Sequence, residues 1–168
     1  MSYTPEINTK HCLLVRISED EIPILKEIFD DIETRKFLPE LYELLDFDDG
    51  TAKFVSIFDL YAQNDEGFLW GIKHRGLLIG FVAIMDFSCS PTLFYAMHRN
   101  YRSQGYMKES IREIILYLHK TKKCSYIQTE VYETNISSIS LLKSIGFVKT
   151  DKRNNKIYFK YEMSTLWR

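Results

Sequence analysis

The sequence predicts a mixed α/β fold of the α+β layered type, built around one large sheet. Helical spacing of apolar residues occurs before residue 62 and again after residue 106, whereas runs rich in β-branched and aromatic residues lie between residues 68 and 97. The chain has 168 residues, 45% hydrophobic and 27% charged, and no linker rich in proline or glycine divides it. Because this size and composition are typical of one globular unit, we expect a single domain over residues 1–168.

The first part of the chain predicts one strand followed by two helical segments. Leu13 to Ile17 has the composition of a short strand, and Ser18 and Glu21 after it form an S-x-x-E capping box. The helix that this box opens has one apolar face, made by Ile22, Leu25, Ile28, Phe29 and Ile32. An acidic run over residues 40–49 follows, and helical spacing returns over residues 51–61.

The second part predicts six more strands and two more helices, which brings the sheet to about seven strands. Two apolar runs flank Arg75 and Gly76 as a hairpin, and Gly146 ends the last helix. Asn154 and Asn155 are turn residues between the last two strands. The predicted bounds are strands 68–74, 77–85 and 92–97, a helix 107–120, a strand 126–132, a helix 135–145, and strands 147–149 and 157–163.

Composition excludes several classes of function. The formal charge of −1 provides no field that would gather polyanions, so we expect neither a nucleic-acid partner nor a membrane surface. The N-terminus lacks a signal pattern and no apolar run reaches the roughly 20 residues of a membrane span, so we expect a cytoplasmic protein. Three cysteines without close pairing fit reduced thiols, and no spacing of ligands predicts a metal site.

The join between the third strand of the central run and the helix after it has the pattern of an anion site. Residues 101–110 read YRSQGYMKES, with Gly105 at the exit of the loop. A helix start leaves backbone N–H groups unpaired and carries a partial positive charge. Gly105 lets a ligand approach the backbone closely, and Arg102 and Lys108 add positive charge, so the segment predicts a site for a pyrophosphate.

Two motifs of this chain resemble those of a known superfamily. Arg102 to Met107, R-S-Q-G-Y-M, is similar to the R/Q-x-x-G-x-G/A motif of the GNAT superfamily of N-acetyltransferases. Asn135 to Phe147, NISSISLLKSIGF, is similar to its second signature, N-x-x-S-x-x-L-(L/Y)-x-x-x-G-F. The segments LLVRISEDEI and GLLIGFVAI resemble the branch of ribosomal-protein alanine N-acetyltransferases, so the likeness covers residues 13–163.

The resemblance implies the GNAT fold and acetyl-CoA as co-substrate. That fold has a single mixed, mostly antiparallel sheet, a splayed central parallel pair of strands, here 92–97 and 126–132, and helices on both faces. The implied cofactor-binding residues are Tyr95, Ala96, Met97, Arg102, Ser103, Gln104, Gly105, Tyr106, Met107, Lys108 and Asn135. Ser103 and Met107 depart from the small residues common in the motif, so the Met107 side chain must turn away from the ligand.

The resemblance also implies the catalytic residues. Glu130 corresponds to the glutamate that several members use as general base, although an exposed carboxylate without a role is the alternative. Many members carry an acidic tyrosine where this chain has Leu142, so Ser138, Tyr132 or solvent would protonate the leaving thiolate, or it would leave unaided. Asn135 fits both a polar contact to a ligand and a helix N-cap.

The sequence therefore predicts an acetyl-CoA-dependent N-acetyltransferase that acts on a primary amine by direct transfer in a ternary complex. The acceptor is a small amine or a protein N-terminus, and the acidic run over residues 40–49 is a candidate to attract its positive charge. Because Leu142 replaces the tyrosine, a non-catalytic CoA-binding sensor or scaffold of the same fold is the alternative. A monomer and a homodimer both remain open.

Overall fold

An eight-stranded sheet forms the centre of the protein. The computed structural model describes residues 3–41 and 49–164. The strands run in the order β1-β2-β3-β4-β5-β6-β8-β7, and every neighbouring pair is antiparallel except β5 and β6, which are parallel. Their bounds are β1 Ile7–Asn8, β2 Leu13–Val15, β3 Gly67–His74, β4 Leu77–Met85, β5 Thr92–Met97, β6 Tyr126–Tyr132, β7 Val148–Arg153 and β8 Lys156–Glu162.

Five helices have both ends within the described residues, and each face of the sheet has its own apolar core. The bounds are α1 Ile22–Asp30, α2 Ile32–Phe37, α3 Gly50–Gln63, α4 Tyr106–Lys120 and α5 Ile136–Ile145. Helices α1 and α3 cover one face, where Phe29, Phe54 and Phe81 meet edge to face. Helices α4 and α5 cover the other, where α4 buries the predicted isoleucine and leucine stripe. The predicted layered architecture is thus confirmed.

The β3–β4 hairpin has the tight turn that Arg75 and Gly76 predict. His74 pairs with Leu77, which leaves Arg75 and Gly76 as a two-residue loop. Their φ angles of 50° and 80° are both positive, as the tight turns that match the twist of paired strands require.

The structure differs from the predicted elements at three places. Strand β1 lies at the sheet edge and is too short for periodicity to reveal it. The first predicted helix is divided at Asp31, which has ψ 139° and caps α2 by accepting from Glu33 N at 3.1 Å. Ile32 is therefore 82% exposed and does not belong to the apolar face of α1. Strand β7 begins at Val148, and the buried Phe147 precedes it.

The three cysteines are free thiols. Burial raises the pKa of Cys12 and of Cys124 to about 11, so neither carries the thiolate that a nucleophile needs. Over residues 3–41 and 49–164, no group of three or more histidine, cysteine or acidic residues is placed to hold a metal ion. None of the helices in those ranges is both long and apolar enough for a bilayer.

Candidate active site

Strands β5 and β6 are neighbours in the sheet but pair at a single point. In the described part of the chain, the parallel register consists of Thr92 with Gln128, and no backbone pairing follows it. Thr129 Oγ1 donates to Leu93 O at 2.8 Å just beyond that point. The remaining ends of the two strands leave a gap in the sheet, as the sequence predicts.

Tyr95 and Met97 direct their backbone polar groups toward this gap. Met97 faces Gly80 of β4, and His98 N donates to Ile79 O at 2.7 Å. Because bonded and non-bonded pairs alternate along an antiparallel ladder, Ala96 bonds to β4 whereas Tyr95 and Met97 face β6. The expectation that Ala96 offers backbone hydrogen bonds to pantetheine is therefore corrected, since its polar groups belong to the β4–β5 ladder.

The loop between β5 and α4 presents unpaired backbone amides. Ser103 has φ 61° and Gly105 has φ 88°, both in the left-handed region that favours glycine. The N–H groups of residues 103–108 donate to no protein acceptor within the described ranges. A Cβ added at Gly105 would meet no protein atom within 4 Å, so the space above the loop is open. Together with the partial positive charge of the α4 start, these amides can bind an anion.

The two cations predicted to assist this loop are placed differently. Lys108 lines the groove beside the loop and has no ion-pair partner among the residues that the structure describes. Arg102 instead pairs with Asp31 at 2.7 Å and with Glu33 at 3.0 Å, and its Nε donates to Met97 O at 3.1 Å. With two carboxylates already bound, the Arg102 guanidinium ties α2 to the loop, and its predicted contact with phosphate has no support in this geometry.

Asp31 is a partner that the sequence did not reveal. Burial alone raises the pKa of Asp31, but the hydrogen bond and charge of Arg102 and the Glu33 amide outweigh it, so the pKa is lowered. The carboxylate stays charged, and this fixes Arg102 beside the groove.

The other predicted residues of the loop have distinct surroundings. The Met107 side chain is buried in the core under α4, so it turns away from the groove amides as expected. Gln104 Nε2 donates to Asn100 O at 3.1 Å. The Tyr106 ring lies against His74 with centroids 4.6 Å apart, and its hydroxyl is 3.3 Å from His74 Nε2.

A groove of about 280 Å³ joins the loop to the gap between β5 and β6. The residues that line it include Ser103 to Lys108, Tyr95 to Met97, Thr34, Glu130, Asn135 and Ser138. Thr34 Oγ1 is buried and has no hydrogen-bond partner within residues 3–41 and 49–164. The open amides and the adjoining gap in the sheet fit a long anionic ligand such as acetyl-CoA.

A pair of hydroxyl groups crosses the groove. Tyr95 Oη and Ser138 Oγ are hydrogen bonded, which links β5 to α5. Burial raises the pKa of Tyr95 to about 12, opposed in part by the Ser138 hydrogen bond, so the phenol stays protonated at neutral pH. Leu142 is fully buried in the core and takes no part in the groove. The sequence indicated Ser138 but not the Tyr95 hydroxyl, because nothing in either motif places residues 43 positions apart in contact.

Glu130 lies where the groove meets a second, larger cavity. Its side chain is 43% exposed, and Oε1 is 3.0 Å from Lys156 Nζ. Lys156 also binds Glu40 at 2.9 Å, and its Nζ is 5.0 Å from the centre of the Tyr132 ring. Glu130 is thus partly exposed and held in an ion pair. Tyr132, a predicted candidate acid, lines the second cavity and not the groove with Ser138.

Asn135 acts as the N-cap of α5. Its Oδ1 accepts from Ser138 N at 3.3 Å, which is one of the two roles that its position predicts. This cap fixes the first turn of α5 and so places the Ser138 hydroxyl beside Tyr95. Asn135 also lines the groove, so its predicted contact with a ligand stays a prediction.

A sheet opened between two parallel strands, beside a helix start with unpaired amides, is the arrangement that the resemblance to the GNAT superfamily implies. The chain belongs to the GNAT acetyltransferase family, since residues 11–148 match the family model described as Acetyltransferase (GNAT) domain. The resemblance seen in the two motifs is therefore confirmed, and the protein is an N-acetyltransferase of this family.

Solved structures share the fold over nearly the whole chain. An acetyltransferase of the GNAT family from Bacillus anthracis has a TM-score of 0.80 at 15% identity, covering 95% of this chain and 99% of its own. The ribosomal-protein-S5-alanine acetyltransferase from Vibrio fischeri has a TM-score of 0.75 at 14% identity, covering 98% and 99%. The ribosomal L7/L12 α-N-protein acetyltransferase RimL, in complex with coenzyme A, has a TM-score of 0.74 at 13% identity, covering 94% and 98%. A comparison with curated proteins gave no match.

Proposed function

We propose that the protein transfers the acetyl group of acetyl-CoA to a primary amine in a ternary complex. The observation that carries this proposal is the row of unpaired amides at residues 103–108, next to the gap between β5 and β6. RimL, which shares the fold, was solved with coenzyme A. Acetyl-CoA, once bound, supplies an activated acetyl thioester.

The groove offers a distinct group for each part of the cofactor. The amides of residues 103–108 and Lys108 bind the pyrophosphate, because they are open and positively polarised. The backbone groups of Tyr95 and Met97 bind the pantetheine arm as a neighbouring strand would. The Met97 N–H is also the donor placed to stabilise negative charge on the reacting carbonyl oxygen.

Three side chains move the protons of the transfer. Glu130 accepts the proton of the acceptor ammonium, directly or through a water molecule, because it lies at the meeting point of the groove and the second cavity. Ser138 donates a proton to the leaving sulfur and takes one from the Tyr95 phenol to which it is bonded, and the phenolate regains its proton from solvent as CoA leaves. In this proposal the hydroxyl pair has the chemical role that Leu142 cannot have, which favours a catalyst over a non-catalytic CoA-binding module.

The acceptor is a small primary amine or a protein N-terminus. The Vibrio fischeri enzyme of the same fold is described as acting on an alanine of ribosomal protein S5. Of the acidic run over residues 40–49, Glu40 is bound to Lys156, and residues 42–48 lie outside the described residues. Whether the run contacts the acceptor therefore stays a prediction.

The transfer is tested by incubating the protein with acetyl-CoA and a panel of amines and N-terminal peptides. We expect mass spectrometry to find a product 42 Da heavier, the mass of an added acetyl group less one hydrogen, together with stoichiometric free CoA. A reaction without protein measures the background. Tight binding of acetyl-CoA with no acetylated product from any amine would show a binding module and contradict the proposal.

Replacing Tyr95 with phenylalanine is expected to lower kcat by about tenfold and leave the Kd for acetyl-CoA unchanged. The effect is smaller than the usual 10²- to 10⁴-fold of general acid catalysis, because a thiol with a pKa near 8.5 is already a good leaving group. Single-turnover rates from pH 6 to 10 measure it. The matched control is Tyr126→Phe, whose hydroxyl binds Cys89 O outside the groove. Equal rates in the two variants would remove Tyr95 from the mechanism.

A further inference from the structure

The second cavity beside the groove is large, apolar and already formed. Its volume is about 410 Å³, within the roughly 300–1,000 Å³ of ligand pockets. The walls come from α2 and the turn after it, from α3 and from the sheet. Phe58 packs against Phe94 with ring centroids 6.0 Å apart and against Tyr61 at 5.3 Å, so these aromatic walls support one another.

The cavity adjoins the place of acetyl transfer. Phe37, Leu38, Phe94 and Glu130 line both the cavity and the groove. An amine whose nitrogen is at Glu130 would therefore project its substituent along Phe94 into the cavity. The occupant of the cavity is thus a part of the acceptor and not of the cofactor.

The charges of the cavity disfavour a second charged group on that acceptor. The charged side chains among its described lining residues are Glu40, Glu130 and Lys156. The Lys156 ammonium binds both carboxylates, at 2.9 and 3.0 Å, so it has little to offer an acidic substituent. The three charges sum to −1, which favours the single positive charge of the reacting amine. Apart from Thr92, the other described residues of the wall are apolar or aromatic.

We infer that the acceptor is a primary amine with an uncharged aromatic-sized apolar group beside its nitrogen, and that this group is buried in the cavity. This inference rests on the proposed transfer function and narrows its substrate class. A small arylalkylamine and a polypeptide with an N-terminal aromatic residue share this chemistry.

The test compares matched acceptors at saturating acetyl-CoA. L-phenylalanine amide and L-alanine amide have similar amines and differ in the side chain, so kcat/KM for the first is expected to be at least about tenfold higher. Two tripeptides with N-terminal phenylalanine or alanine form a second arm. Preference for the amide over the peptide assigns a small-amine source, and the reverse assigns a polypeptide N-terminus.

A matched pair of variants tests whether the preference for phenylalanine amide over alanine amide depends on the cavity. Ile57 is 45% exposed on α3 and lines the cavity, so Ile57→Trp is expected to fill it and reduce the preference to less than about threefold. Leu60 is 59% exposed on the same helix and does not line the cavity, so Leu60→Trp is expected to keep the full preference.

The possible outcomes distinguish failure of this inference from failure of the proposed acetyl transfer. Acetylation of both amides at equal kcat/KM, or a preference that Ile57→Trp leaves intact, would overturn the inference and leave the transfer function standing. Acetylation of another amine of the panel, but of neither amide and neither peptide, would also overturn the inference alone. Binding of acetyl-CoA, measured by calorimetry, without acetylation of any amine of the panel would overturn both.

Discussion

Replacing Gly105 with valine is expected to raise the Kd for acetyl-CoA by about 10- to 100-fold. Gly105 has φ 88°, which a β-branched residue adopts only at a cost of roughly 1–3 kcal/mol, so the loop would leave the conformation that presents its amides. A Cβ there would also occupy the open space above the loop. Isothermal titration with acetyl-CoA measures the change.

Gly76 provides the matched control for this experiment. Its φ is 80°, an added Cβ would likewise meet no protein atom within 4 Å, and it lies in the β3–β4 turn away from the groove. Gly76→Val therefore carries similar strain and a similar loss of thermal stability, but it is expected to bind acetyl-CoA as the original protein does. Equal affinities for the two valine variants would refute the assignment of the loop to the pyrophosphate.

Replacing Glu130 with glutamine is expected to lower kcat by about 10²- to 10³-fold, with the Kd for acetyl-CoA within twofold of its original value. An amide of the same shape cannot accept the proton that the amine must lose, whereas the cofactor is held by other groups. Initial rates across pH 6 to 10 measure the loss. A general base also predicts that the variant rate rises with hydroxide concentration.

Glu133→Gln is the control for Glu130→Gln. Glu133 is also bound to a lysine, Lys152, at 2.9 Å, but it lines neither cavity. Its replacement breaks an ion pair of the same kind and is expected to leave kcat unchanged. Full activity of Glu130→Gln at every pH would exclude Glu130 as the base.

Local patterns in the sequence predicted most of the fold. The period of apolar residues in α4, the positive φ demanded at Arg75 and Gly76, and the glycine after α5 each depend on a few neighbouring residues. The division at Asp31 was missed although its cap is local, since Asp31 accepts from the N–H two residues later. Its bond to Arg102, 71 residues away, is the part that no local pattern reveals.

The candidate site likewise has some features that local motifs predict and others that depend on contacts between distant residues. The loop over residues 102–107 and the N-cap at Asn135 are local motifs, and both are found where the sequence predicts them. The Tyr95–Ser138 hydroxyl pair joins two elements distant in the chain. Lys156 reaches Glu130 only because the β6–β8 register sets Tyr132 against Lys156. Such contacts follow from strand register and chain topology, which spacing within one segment does not encode.

Because β5 and β6 pair at a single position, the sheet consists of two halves that are weakly joined. Strands β1 to β5 form one half-sheet and β6, β8 and β7 form the other, and beyond Thr92 and Gln128 their two inner edges are not paired with each other. A bound pantetheine would lie between the two half-sheets and form hydrogen bonds with the backbone at their inner edges. If the protein binds acetyl-CoA as proposed, a ligand concentration of 100 Kd would add about 2.7 kcal/mol to the free energy of unfolding.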